Sequence, residues 1–218
     1  MINIIFIAPP AAGKGTQAKL ISQSFNIPHI SIGEIMREAR DSNTEVGRII
    51  IKCQDDRILV PLDITLKLIK DRLSEEDCNN GYILDGFPRS LEQAYEYEKI
   101  LKSLNKDAGL VIYMDIDKES ALKRTLSRVV CSSCGETYNL LTDYLKPRKD
   151  GICDKCGSSL KTRSDDNERT FIKGFETYIE KTKPLIEYYK EKGLLREVEI
   201  KESDSVQDVF NKIKSIIG

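Results

Sequence analysis

The sequence predicts an α/β protein built on a mostly parallel sheet with helices on both faces. Three observations carry this. Short apolar runs, Ile2 to Ile7, Tyr82-Ile83-Leu84 and Leu110 to Met114, alternate with amphipathic stretches long enough for helices. The first run passes through Ala8-Pro9-Pro10-Ala11-Ala12-Gly13-Lys14-Gly15-Thr16 into a helical pattern, Gln17 to Phe25. The second ends abruptly in Asp85-Gly86-Phe87-Pro88-Arg89, before a helix over 91–104. In sheets of this kind ligands gather outside the carboxyl ends of the strands, where both of these turns would lie.

The stretch from Ala8 to Thr16 reads as a phosphate-binding loop. A tight loop at a helix start aims several backbone N–H groups at one point, the helix dipole favours an anion there, and Lys14 adds a full positive charge. The expected ligand is a nucleotide polyphosphate. The match to Gly-x-x-x-x-Gly-Lys-[Ser/Thr] is incomplete, because Ala8 holds the first glycine position and Gly15 separates Lys14 from Thr16. An ordinary strand-to-helix turn with one solvated lysine is the competing reading, and other stretches have to decide.

Along the chain, Pro28 to Ser31 reads as a brief strand, and Ser31 to Glu34 has the spacing of a capping box opening a helix. His29 is the sole histidine and is expected to be structural or at the surface. Residues 32–73 look helical throughout, broken near Asp41-Ser42-Asn43 and at Val60-Pro61. Inside a strand–helix protein, that is a helical insertion able to move as a unit. A helix over 118–128 follows the strand at Leu110, residues 129–166 interrupt the pattern, and a helix over 168–191 resumes it. Leu194 to Val198 is the last strand and 205–217 the closing helix.

A chain of 218 residues can bury a substantial core, as one domain with insertions or two small domains. Lys+Arg 34 against Asp+Glu 35 leaves a net charge of −1, which excludes a strongly basic nucleic-acid or membrane-surface protein. Met1 runs directly into the first apolar strand without a charged leader or a run long enough to span a bilayer, so the chain is expected to be soluble and cytoplasmic.

Cys131-x-x-Cys134 and Cys153-x-x-Cys156 enclose 18 residues, a spacing that suits tetrahedral Zn²⁺ held by four thiolates. With every position taken by sulfur, such a zinc is structural and stabilises an insertion too small to build its own core. A nucleic-acid-binding ribbon is disfavoured by charge. Residues 129–164 carry six basic side chains against four acidic ones, a surplus of two that four thiolates around Zn²⁺ cancel. Cys53 and Cys78 are expected as free thiols.

Taken together, the chain resembles adenylate kinase in its long-lid form, whose lid carries a zinc knuckle. The motifs are Pro10-x-x-Gly13-Lys14-Gly15-Thr16-Gln17, Ser31-x-Gly33-Glu34-x-x-Arg37, Leu59-Val60-Pro61, Asp85-Gly86-Phe87-Pro88-Arg89, Gln93, Arg124-x-x-x-Arg128, the cysteine pairs and Arg163-x-Asp165-Asp166. The resemblance implies a five-stranded parallel core from residues 1–30, 61–128 and 167–218, a monophosphate-binding domain over 31–60 and a lid over 129–166. It implies reversible transfer from MgATP to AMP, giving two ADP, in a monomer that needs neither nucleic acid nor membrane. ATP would lie on Ala11, Ala12, Gly13, Lys14, Gly15, Thr16, Arg124 and Tyr138. AMP would lie on Ile32, Arg37, Val60, Gly86, Arg89, Gln93 and Arg163. Lys14, Arg89, Arg124, Arg128 and Arg163 would be the catalytic cations, Asp85 would orient water on Mg²⁺, and Asp165 and Asp166 would position the lid arginines.

The chain departs from the pattern at four places. Ala8 and Ala11 stand at usual glycine positions in the loop, where a left-handed alanine costs roughly 1–2 kcal/mol. Ile32 replaces a threonine in the monophosphate site, Gly174 stands where a further lid arginine is usual, and Val129 follows Arg128 where a second arginine is common. A transferring phosphoryl group stabilised by an arginine gains roughly 10³–10⁵ in rate. The reading is therefore an adenylate kinase slowed by Ala8, Ala11 and Gly174. A kinase for another nucleoside monophosphate and a nucleotide-binding module with little turnover are the alternatives.

Overall fold

In the computed structural model the described residues are 2–55, 60–142, 145–163, 166–201 and 203–218. The chain runs through β1 (Ile2–Ile7), α1 (Lys14–Phe25), β2 (His29–Ser31), α2 (Ile32–Asp41), α3 (Glu45–Asp55), α4 (Leu62–Leu73), β3 (Gly81–Asp85), α5 (Leu91–Ser103) and β4 (Leu110–Asp115). It continues through α6 (Lys118–Leu126), β5 (Arg128–Cys131), β6 (Thr137–Asn139), β7 (Leu160–Lys161), α7 (Glu168–Thr177), α8 (Pro184–Glu191), β8 (Leu195–Glu199) and α9 (Val206–Ile217).

Five strands form one sheet in the order β2-β3-β1-β4-β8, every pairing parallel. Because side chains alternate across a strand, the two faces divide the residues of β1. Ile5 and Ile7 join Ile69, Leu73, Tyr97, Leu101, Leu185 and Tyr189 under α4, α5 and α8. Ile4 and Phe6 join Ala18, Ile21, Ala121, Phe171, Val209 and Ile213 under α1, α6, α7 and α9. Burial on both faces is why these strands read as continuous apolar runs. Among the described residues no helix is long and apolar enough to cross a membrane.

Three boundaries differ from the sequence expectation. The helix predicted to reach residue 128 stops at Leu126, and Arg128 opens β5. The Ser127 hydroxyl donates to the Lys123 carbonyl at 2.7 Å, and the Ser127 carbonyl accepts from Leu140 N at 2.9 Å, which draws the chain off the helix toward β6. The long helix predicted over 168–191 is interrupted by a π turn at Tyr178–Thr182. Pro184 cannot donate to the carbonyl four residues earlier and its ring would strike it; Lys183 N instead donates to the Tyr178 carbonyl at 2.8 Å. Ser31 sits at the N-cap of α2 but makes no side-chain cap; its backbone is paired in β2 opposite Asp85. A capping box does form at α9, between Ser205 and Asp208.

β5, β6 and β7 make a separate antiparallel sheet in the order β6-β5-β7. Its buried residues are Val129, Cys131, Tyr138 and Cys153, with Leu160 packed against them. That is far too little apolar surface to hold a domain by burial.

The loop from β1 to α1 bends through Ala11, at φ 60°, and Gly13, at φ 93°. Ala8 is not in the left-handed region, so the strain expected at both alanines falls on Ala11 alone. Ala11→Gly removes a Cβ penalty of roughly 1–2 kcal/mol and adds back part of it as chain entropy. A net gain of about 1 kcal/mol corresponds to a rise of about 2–4 °C in melting temperature at this size. A thermal melt with no rise would mean that the loop bears Ala11 without strain.

Candidate active site

The first N–H groups of a helix have no intrahelical partner, and those of α1 open onto the loop. Gly13 occupies the N-cap in left-handed geometry without a capping side chain, and the first intrahelical bond runs from Gln17 N to the Gly13 carbonyl at 3.1 Å. Lys14 leads this turn. Its ammonium donates to the carbonyls of Ala8 and Pro9 at 3.3 and 3.4 Å, so the lysine closes the loop on itself. Burial lowers its pKa; Asp85 opposes that, and Arg89 and Arg128 add to it.

Asp85, at the carboxyl end of β3, lies over the first turn of α1. A Cβ added to Gly15 would sit 3.6 Å from its Oδ2. His29 Nε2 stands 3.3 Å from the same oxygen, and both side chains are nearly buried. Burial raises the Asp85 pKa, but the His29 hydrogen bond, Lys14 and Arg89 outweigh it and hold the carboxyl below its ordinary value. Asp85 is therefore ionised at neutral pH. His29, expected as a structural or surface residue, is a partner of that carboxylate.

Beyond Asp85 the turn brings Gly86 against Arg89 and Ile32. Gly86 has φ 82°, and a Cβ there would come within 3.0 Å of both Arg89 and Ile32 side-chain atoms. Arg89 Nε donates to the Gly86 carbonyl at 2.7 Å. Gln93 turns its Oε1 back to accept from Arg89 N at 2.7 Å, pinning the arginine's backbone to the start of α5. Arg37 folds over Gly33, with NH1 3.4 Å from a Cβ built there. Val60 is half-buried against the core next to this region. Of these residues Gly86 and Arg89 line a cleft beside Lys14, with Ile32 against Gly86 and Gln93 against Arg89 behind them.

Arg128 forms a two-pronged charge-assisted pair with Asp166, Nε to Oδ2 at 2.8 Å and NH2 to Oδ1. Asp166 is buried, so the fork fixes the arginine's direction. Asp165 lies outside the described residues. The Arg124 carbonyl accepts from Asn139 Nδ2 at 3.1 Å, tying the last turn of α6 to β6. Arg163 is exposed, and its carbonyl accepts from Asp166 N at 3.1 Å.

Tyr138, assigned to ATP by resemblance, packs its side chain against the cysteine turns. It is buried in the lid, its hydroxyl 3.4 Å from Cys153 Sγ and accepting from Asp154 N at 2.8 Å. Alternation along β6 sends this side chain to the cysteines.

The four sulfurs of Cys131, Cys134, Cys153 and Cys156 lie within 4.8 Å of one another, with Cys131 to Cys156 at 3.4 Å and Cys134 to Cys153 at 3.6 Å. A tetrahedron with Zn–S of about 2.3 Å has edges of about 3.8 Å, so the set fits one ion, and no pair is close enough for a disulfide. Hydrogen bonds from Ser158 pull Cys156 down to about 6. Cys134, despite the Glu136 N–H, is pushed up to about 12 by burial and its sulfur neighbours. Four adjacent thiols cannot all ionise alone; a dication would allow it.

The cleft is lined by Ala8, Pro10, Lys14, Gly86, Pro88 and Arg89 on one side and by Gly174, Thr177, Tyr178, Lys181 and Thr182 on the other. Of this second set the family pattern singles out Gly174, and neither Lys181 nor Thr182. Their signal was present as a helical spacing from Gly174, obscured by the π turn.

The family model described as adenylate kinase matches residues 6–194. An adenylate kinase of Thermosipho africanus is 45% identical over 217 residues, covering 100% of this chain and 98% of the relative. Adenylate kinases of Caldanaerobacter subterraneus subsp. tengcongensis and Archaeoglobus fulgidus are 42% and 41% identical, each over 99% of this chain and 96% and 98% of their own length. Likeness of this extent runs through loop, lid and core alike, and the chain belongs to the adenylate kinase family.

Proposed function

We propose that the cleft transfers the γ-phosphoryl group of MgATP to AMP, reversibly, giving two ADP. The observation that carries this is the gathering of Lys14, Asp85 and Arg89 over the first turn of α1, in a chain similar to adenylate kinases along its whole length. The acceptor needs no general base, because a phosphate monoester is largely ionised near neutral pH. What the reaction needs is positioned positive charge in a site closed to water.

The ATP phosphates lie on the N–H groups from Ala11 to Thr16 and on Lys14, with Arg124 beside them. AMP lies on Ile32, Arg37, Val60, Gly86, Arg89 and Gln93. The Tyr138 hydroxyl is engaged within the lid, which leaves its ring and backbone for ATP. Arg128, aimed by Asp166, and Arg163 cover the transferring group when residues 129–166 and 31–60 close over the core. Asp85 is ionised and faces the phosphate loop, which suits a carboxylate that holds Mg²⁺ through water. The cation, when bound with ATP, neutralises charge on the phosphates. Ile32 offers the acceptor base only apolar contact, and AMP remains the acceptor that the family relationship favours.

Two experiments test this reading. ADP formation from ATP should require Mg²⁺ and should favour AMP over UMP, CMP and GMP; a different preferred acceptor would replace adenylate kinase activity by that of another monophosphate kinase. Arg89→Met should raise KM for AMP by roughly tenfold or more, since it removes a charge-assisted hydrogen bond to phosphate.

We further propose that the cysteine set holds one structural Zn²⁺. Purified protein should contain about one zinc per chain, and a chelator should remove hydrogen-exchange protection from the lid strands before the core. Rapid alkylation of all four thiols in the untreated folded enzyme would exclude a bound metal.

A further inference from the structure

The wall of the cleft formed by α7 and the π turn exposes residues 174, 177, 178, 181 and 182 to the space above the phosphate loop. Their spacing is that of a single helical face. Gly174 contributes no side chain, and a Cβ built there would meet nothing within 4 Å, so this wall has open room at its near end. Arg169, Lys173 and Lys183 belong to the same segment but do not line the cleft. The cation on the lining face is Lys181.

Lys181 is held where it is by the backbone. The π turn widens the helix at Tyr178–Thr182, and Thr182 Oγ1 donates to the Arg89 carbonyl at 2.9 Å, fastening this turn to the loop that carries Arg89. The side chain itself is exposed, and among the described residues nothing pairs with its ammonium. It shares the cleft with Lys14 and Arg89. Asp85, the carboxylate beside Lys14 and Arg89, is already engaged by His29. A lysine on a flexible stem, in a cleft with surplus positive charge, calls for an anion.

We infer that Lys181 is a catalytic residue of this enzyme, an ammonium that contacts the phosphoryl group during its transfer across the cleft. The inference rests on the phosphoryl-transfer reading above. In the step, an AMP phosphate oxygen forms a bond to the γ-phosphorus while the bond from that phosphorus to the bridging oxygen of the β-phosphate breaks, its electron pair leaving with ADP. Lys181 gives up no proton; it remains an ammonium and offsets charge spread over the equatorial oxygens. The position of this charge two helical turns beyond Gly174 suggests that the chain supplies from 181 what it lacks at 174.

The test is Lys181→Met, measured as the single-turnover rate of ADP formation with enzyme in excess of ATP, so that lid opening and product release do not mask chemistry. The rate should fall roughly 10–100-fold, whereas KM for ATP and AMP should move by less than about threefold. Lys181→Arg should keep most of the rate. The melting temperature should not change, because the side chain is exposed. Arg89→Met serves in the same assay as the control for the site itself. A wild-type single-turnover rate in Lys181→Met beside an impaired Arg89→Met overturns the role of Lys181 and leaves the site reading intact. Wild-type behaviour in both variants overturns the site reading.

Discussion

Positive charge concentrated over one helix terminus is the constraint on which the rest of this structure depends. Burial lowers the Lys14 pKa, Arg89 and Arg128 lower it further, and the α1 terminus adds a partial charge of the same sign. Left alone, such a cluster would repel itself apart. The fold answers with Asp85, whose carboxylate is kept ionised by His29, Lys14 and Arg89, and with Asp166, which takes Arg128 in a two-pronged pair. Each anion sits at the end of a rigid element or in a buried position, so neutralising the cations also aims them. The parallel order β2-β3-β1-β4 makes this possible, since it brings Ser31, Asp85 and the loop after Ile7 to the same edge of the sheet.

What the sequence made legible were the features with local causes. Strands buried on both faces announce themselves as apolar runs, a loop between strand and helix by Gly13 and Lys14, and a cluster of four thiols by paired cysteines. The misses arose where a distant contact overruled local pattern. Arg128 continues a helical periodicity, yet Ser127 is pulled into the lid by residues 139 and 140. Period alone cannot separate an α-helix from a π turn, and only Pro184 hinted that the helix over 168–191 would be interrupted. His29 and Asp85 are 56 residues apart and meet because β2 pairs with β3.

The lid shows how little of a small domain need be apolar when its chain can be gathered at one point. Its sheet buries a handful of side chains, two of them the cysteines Cys131 and Cys153. Tyr138 links that cluster to the cysteine turn through Cys153 and Asp154. Asn139, next in β6, accepts from Ser127 and donates to the Arg124 carbonyl, carrying the same rigidity into α6. Residues that order the cysteines and residues that place Arg124 and Arg128 are therefore neighbours on one strand.

Apart from the ties of Arg124, Ser127 and Arg128 to Asn139, Leu140 and Asp166, residues 129–166 reach the core through a weak surface pair. Lys19 of α1 reaches Glu136 at only 4.0 Å, and both side chains are substantially exposed. An ion pair of that kind is worth about 0–1 kcal/mol and is screened by salt. By contrast, an arginine or lysine that meets phosphate in a site closed to water gains a charge-assisted hydrogen bond of roughly 1.5–3 kcal/mol. Several such bonds outweigh one exposed pair. The charges of Arg89 and Arg128 on Lys14 act in the same direction, because an entering anion relieves what Asp85 leaves uncompensated. On the proposed reading, closure over the cleft is set by the ligand's charge more than by the exposed Lys19–Glu136 pair.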